Sequence, residues 1–198
     1  MLWWFKARRI HLYVPAGLAV FTLLVWTFRE LLVGMPSFTG GTEVLLMLFA
    51  PLPVCVALML TLASRLPEAE LSALRNVVVR DVLLVSATVM VALVIGLTSG
   101  LILDSPAAAA VGRNSALLTG LMLLAFPLIG ARALMVPIAY VLLVVMEGYD
   151  AARQTRPWAI LPESGDHLPA FAVTVVVLAV GITAFSIDRS HRLRSEVG

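Results

Sequence analysis

The sequence predicts an all-α, polytopic membrane helix bundle: six transmembrane helices preceded by an N-terminal interfacial helix. Three observations predict it. The 198 residues are 61% hydrophobic and only 13% charged, whereas a soluble domain carries about 25% charged and 45–50% apolar residues. The apolar residues lie in long unbroken runs, and the basic residues are divided unevenly among the connections between those runs. A globular protein of this composition would expose apolar surface on every side, so the solvent is lipid. Within a bilayer the chain must satisfy its own backbone polar groups, which leaves helices or closed barrels. Barrel strands alternate apolar and polar residues over short segments. The runs here do not alternate, so they are helices.

Residues Leu2–Ile10 carry Trp3, Trp4 and Phe5 ahead of Lys6, Arg8 and Arg9. That pattern suits a helix lying in the interface, with aromatic rings at the headgroups and cations facing anionic lipid. A signal peptide would place its basic residues first and a small-residue cleavage site after the apolar run, and neither is seen. Six spans follow: His11–Phe28, Val44–Ala63, Val82–Leu103, Ala116–Ala131, Ala133–Met146 and Leu168–Ile187. Four approach the roughly 20 residues that cross about 30 Å at 1.5 Å per residue. The fourth and fifth are shorter and are separated only by a turn at Gly130–Ala133, so one long helix kinked at Pro127 and Pro137 is the alternative.

Charge separates these two readings. With six spans, one face receives Lys6, Arg8, Arg9, Arg65, Arg75, Arg80, Arg132, Arg189, Arg192 and Arg194, and the other Arg29, Arg113, Arg153 and Arg156: 10 against 4. The positive-inside rule then places both termini in the cytoplasm, including a basic tail at 188–198. Five spans would move the last three arginines outside and strand Arg132 in the bilayer, at about 2.5–3.5 kcal/mol on insertion scales.

The connections differ in character. Glu30–Thr42 is small and external. Gly148–His167 is external and the longest, with Pro157, Trp158 and Pro162. The internal connection Ser64–Asp81 is expected to form a short amphipathic helix under the membrane. Pro67 suits a first helical turn, and Glu68 and Glu70 suit the positive end of a helix dipole. Leu71 and Leu74, three residues apart, share one face, and Arg65 and Arg75 flank the segment.

Little else in the chain points to chemistry. The ionisable residues near the spans, Glu43, Asp81, Asp104, Glu147 and Asp188, fall at span ends, whereas ion-coupled transporters use intramembrane carboxylates or histidines. A P-loop needs a lysine after its glycines, and the only lysine, Lys6, has none before it. Any ATP is therefore bound by another chain. The stretch Arg156-Pro157 with Pro162–His167 faintly resembles a membrane lipid-phosphatase signature. It has Tyr149 where that signature needs a lysine, and the remaining motif is missing. The three histidines, His11, His167 and His191, are far apart and indicate no metal site. No enzymatic activity and no cofactor are expected. Cys55, the single cysteine, lies in an apolar run as a small buried hydrophobe. Two packing signals remain. Gly96 and Gly100 form a G-x-x-x-G pair that admits close approach of another helix, and Pro51 and Pro53 are expected to kink the second span.

These features together resemble the permease subunits of bacterial ABC-type exporters whose ATPase is a separate polypeptide, and more narrowly a group of small actinobacterial six-span permeases. The local resemblance lies in Arg65-Leu66-Pro67-Glu68-Ala69-Glu70, in Gly112-Arg113-Asn114 with Leu118-Thr119-Gly120-Leu121, and in Arg156-Pro157-Trp158-Ala159. The resemblance implies a plasma-membrane exporter half. A second permease subunit, like or unlike, would complete the path, and the ATPase subunits would dock on Ser64–Asp81. A non-transporting membrane scaffold or immunity protein has the same topology without the need to bind an ATPase. A membrane enzyme would need facing polar residues at one depth.

Overall fold

The computed structural model describes residues 9–28, 31–35, 42–64, 74–150 and 154–195. Helix α1 runs Ile10–Thr27. A two-stranded antiparallel hairpin follows, β1 (Leu32–Met35) against β2 (Thr42–Leu45), with Leu32 opposite Leu45. A 3-10 turn at Leu46–Phe49 leads into α2, Leu52–Ala63. Helices α3 (Leu74–Leu103) and α4 (Pro106–Ile129) form a tight helical hairpin. A second 3-10 turn, Gly130–Leu134, leads into α5 (Met135–Glu147), and α6 (Leu168–Ser195) closes the bundle. Among the described residues five segments are long and apolar enough to cross a membrane, the fourth being the whole of Pro106–Glu147.

That fourth segment is not a straight rod. Gly130 has φ +58°, a conformation that favours glycine, and it ends α4. The chain then turns back. Tyr149, just beyond α5, lines the same cavity as Ala107 and Ala110 from the first turns of α4, so the two helices run antiparallel. The break falls at Gly130, whereas Pro127 lies inside α4 and Pro137 in the first turn of α5.

Several expected boundaries are corrected. The second span was expected as continuous helix from Val44, but Val44 and Leu45 belong to β2 and the α-helix begins only at Leu52. Pro51 and Pro53 do not kink that helix. They sit at its start, where a missing N–H removes no intrahelical bond. The third span was expected from Val82, but α3 begins at Leu74, so Leu74–Asp81 is continuous with the span. The fourth was expected from Ala116. It begins ten residues earlier, because Pro106 opens the helix and the Ser105 hydroxyl accepts from the Ala108 N–H at 3.3 Å. Residues expected in a basic tail, Asp188–Ser195, continue α6. The interfacial helix expected at Leu2–Ile10 falls almost wholly outside the described residues, as does 65–73.

Helix α4 is the hub. Every residue from Ala110 to Gly120 is buried, because α3 lies on one side of it and α6 on another. Glycines make both crossings. A Cβ on Gly96 would meet the Gly112 nitrogen at 2.6 Å, and one on Gly100 would meet Ala109 Cβ at 2.7 Å. On the other side a Cβ on Gly120 would meet the backbone of Leu178 at 2.8 Å, and one on Gly181 would fall on the Gly120 carbonyl oxygen. Close backbone approach replaces the hydrophobic effect, which lipid cannot supply between helices. The outer faces of α1, α3 and α6 remain apolar and exposed, with Leu23, Leu83, Val94 and Val176 among them.

Candidate functional site

Following the chain, α3 starts and α6 finishes at one end of the bundle, which also carries the end of α2 and the Gly130–Leu134 turn. Call it the basic end, since Arg80, Arg132 and Arg189 lie there. At the opposite end α1 and α3 finish together, where the Trp26 indole N–H donates to Ser99 Oγ at 3.2 Å. Among the described residues each end holds a buried polar cluster.

The cluster at the basic end is an ion pair. Arg189 Nη2 lies 3.2 Å from Asp81 Oδ2, with the two side chains 1% and 0% exposed. The same nitrogen donates to the Leu62 carbonyl at 3.4 Å. The guanidinium carbon stands 5.2 Å above the centroid of the Phe185 ring, within cation–π range. Phe185 in turn meets Phe126 edge-on, centroid to centroid 5.2 Å. One guanidinium therefore joins α2, α3 and α6 and, through the two rings, α4.

The cluster at the opposite end is a pinned strap. Arg113, only 3% exposed, sits in the second turn of α4. Its Nη1 donates to the Ser164 carbonyl at 2.7 Å, and its Nη2 to the carbonyls of Glu163 at 2.7 Å and Ile160 at 3.0 Å. Nη2 also reaches Asn114 Oδ1 at 3.2 Å, and Asn114 Nδ2 donates to the Leu161 carbonyl at 2.8 Å. Two adjacent side chains thus hold four carbonyls of the segment 160–164. The strap is braced further along. Thr155 Oγ1 donates to Glu163 Oε1 at 2.6 Å, Tyr140 Oη donates to the Trp158 carbonyl at 3.0 Å, and Arg156 pairs with Glu147 at 3.3 Å. Beneath it lies a cavity of about 140 Å³ between Met47, Leu48, Val111, Asn114, Tyr149 and Leu161. Burial and the nearby Glu163 carboxylate both hold the Tyr149 phenol above its usual pKa, so it stays a neutral hydroxyl.

The residues singled out by sequence fall unevenly on this frame. Arg65, Pro67, Glu68, Glu70 and Leu71 lie outside the described residues, while Leu74 and Arg75 form the first turn of α3. Gly96 and Gly100 meet α4 of the same chain, so that face is not free for a second subunit. Pro51 and Pro53 open α2. Asp81, expected in the surface segment, is buried, and Arg113 and Asn114, expected in an external connection, are inside a helix. Sequence reasoning missed both clusters. One signal was available: Arg80-Asp81 and Asp188-Arg189 are mirrored pairs at the same end of two oppositely directed helices.

Among the described residues no group of three or more His, Cys, Asp or Glu side chains is arranged to hold a metal ion. Comparison with known protein families, with curated proteins and with solved structures finds no match to the chain.

Proposed function

We propose that the chain is the membrane-spanning permease subunit of an ATP-driven exporter in a bacterial plasma membrane. It crosses six times with both termini in the cytoplasm, works with a second permease subunit, and is powered by an ATPase on a separate polypeptide. The chain has no P-loop of its own, so any mechanical work must enter at a surface that a partner can grip. The observation that carries the proposal is the ion pair at the basic end. Helices α2 and α3 flank the connection 65–73, and Arg189 ties the end of α2 and the start of α3 to the last helix. Displacement of that connection would therefore be felt across the bundle rather than absorbed locally. Six crossings are favoured by the antiparallel return of α5 along α4. They also leave the Gly130–Leu134 turn, with exposed Arg132, on the basic side.

In this proposal Arg65, Pro67, Glu68, Glu70, Leu71, Leu74 and Arg75 belong to the docking segment. The two glutamates meet basic residues of the ATPase and the two leucines enter an apolar groove, as helix-in-groove contacts do. The test is reversal of charge. Glu68→Arg combined with Glu70→Arg should leave membrane insertion intact, release the ATPase on purification and abolish its stimulation. A doubly reversed protein that still co-purifies with an ATPase and still stimulates ATP turnover would refute the docking assignment. A parent chain that captures no ATPase at all would leave a non-transporting scaffold as the better reading.

A further inference from the structure

We propose that Asp81 and Arg189 form a breakable latch that holds the basic end of the bundle shut, and that parting it admits water between α3 and α6. Depth is the first ground. Asp81 lies 22 residues before the end of α3 at Leu103, and Arg189 lies 21 residues after the start of α6 at Leu168. At 1.5 Å per residue both sit about 32–33 Å from the opposite end of their helices, which is about the thickness of the hydrocarbon core. A carboxylate or guanidinium at that boundary reaches headgroup water by a change of rotamer. Nothing about spanning a bilayer requires either to be inside, yet they are 0% and 1% exposed.

Convergence is the second ground. The Leu62 carbonyl that accepts from Arg189 is one of the last carbonyls of α2, which has no intrahelical partner for them. The cation therefore answers a helix C-terminus as well as a carboxylate. Phe185 and Phe126 cover its face. Separating α3 from α6 parts the carboxylate from the guanidinium, while Phe185, on the same helix as Arg189, stays with the cation, and each charge then has headgroup water to receive it. The closed state is held by a contact whose broken form is tolerable, which is what distinguishes a latch from a core.

A purely structural pair behaves differently on replacement. A buried ion pair exchanged for apolar residues is often neutral or stabilising, whereas loss of one partner strands the other charge. A latch exchanged for apolar residues cannot open, because the new side chains gain nothing from headgroup water. What would pull the latch, a partner acting on 65–73, rests on the exporter reading. The latch itself is testable without that partner.

The experiment uses the full chain in liposomes with Cys55→Ala as background and Val85→Cys as reporter. Val85 is buried one turn deeper than Asp81 on α3, and a membrane-impermeant maleimide reaches it only through water. The parent should label slowly. Asp81→Asn should label at least tenfold faster, and the exchange Asp81→Arg with Arg189→Asp should restore slow labelling. The variant carrying Asp81→Leu and Arg189→Leu should melt no lower than the parent and label at least tenfold more slowly. The last arm decides even where Asp81→Asn fails to fold. A folded double-leucine protein that labels at the parental rate overturns the latch, as does a folded Asp81→Asn protein within twofold of the parent. Failure to find an ATPase would sink the exporter reading and leave these rates unchanged.

Discussion

Arg113 shows how far a single residue can depart from its hydropathy. An arginine beside an asparagine interrupts the apolar run and reads as the edge of an external connection, which is how the chain from Asp104 to Ser115 was expected. The structure keeps both residues in α4 by bringing carbonyls of the strap to them, so the cost of burial is offset by hydrogen bonds that no local pattern announces. Lysine at this position supplies a point charge in place of the planar fork. Arg113→Met should lower stability by about 3 kcal/mol or more, given about 1.5–3 kcal/mol for each hydrogen bond to a charged group. Asn114→Leu, which leaves the Leu161 carbonyl without its donor, should cost about 1–3 kcal/mol. Thermal unfolding in detergent measures both. Cys55 is the opposite case, since its burial was legible in its neighbours. It is 0% exposed and lies 3.9 Å from Thr119 Oγ1, between α2 and α4. It should resist maleimide in the native protein and react only on unfolding. Native labelling on the unfolding-independent timescale would contradict that packing.

At the scale of elements, apolar runs located the helices but not their ends. Hydropathy marks where lipid is, whereas helix ends are set by caps and by glycine. Hence α4 opens at Ser105-Pro106 rather than at Ala116, and α6 continues through the charged residues after Ile187. The hairpin of β1 and β2 was illegible because its short strands carry no sustained alternation. Glycine was half legible. Gly96 and Gly100 advertise close approach by their spacing, but sequence cannot say that Gly112 and Ala109 of the next helix are the surfaces approached. Gly120 and Gly181 are isolated in sequence and advertise nothing, although they make the other crossing of α4. Substitution separates the positions. Gly120→Ala and Gly181→Ala place a methyl against backbone, which cannot move as a side-chain tip does, and each should cost about 1–3 kcal/mol. Gly34→Ala, with nothing within 4 Å of its new methyl, should change the melting temperature little. Equal losses at Gly34 and Gly120 would mean that helix crossing is not what these glycines serve.

For the whole molecule, the division of basic residues carried the most information, because it reports on every connection at once. Counted over six crossings, its 10-to-4 split does not depend on where each helix starts. It also makes the sharpest claim about Pro106–Glu147, the segment whose crossings hydropathy leaves ambiguous. If α4 and α5 each cross, the turn at Arg132 lies on the same side as Arg80 and Arg194, and the opposite side carries Asp104 and Arg156. If the segment crosses once, Arg132 is buried in lipid and Arg194 shares a side with Asp104. The geometry favours the first arrangement, since α5 returns alongside α4 and Tyr149 rejoins Ala107 and Ala110. Thirteen residues of α5 rise only about 20 Å at 1.5 Å per residue. If α5 crosses, the 3-10 turn at Gly130–Leu134 completes the crossing, with Arg132 at the headgroups. Single cysteines at positions 80, 104, 132, 156 and 194, in the Cys55→Ala background, read this directly in intact cells with an impermeant maleimide. Positions 104 and 156 should label from outside. Positions 80, 132 and 194 should label only after the membrane is opened. Labelling of 194 from outside, with 132 silent in both conditions, would replace six crossings by five and would put the two termini on opposite sides.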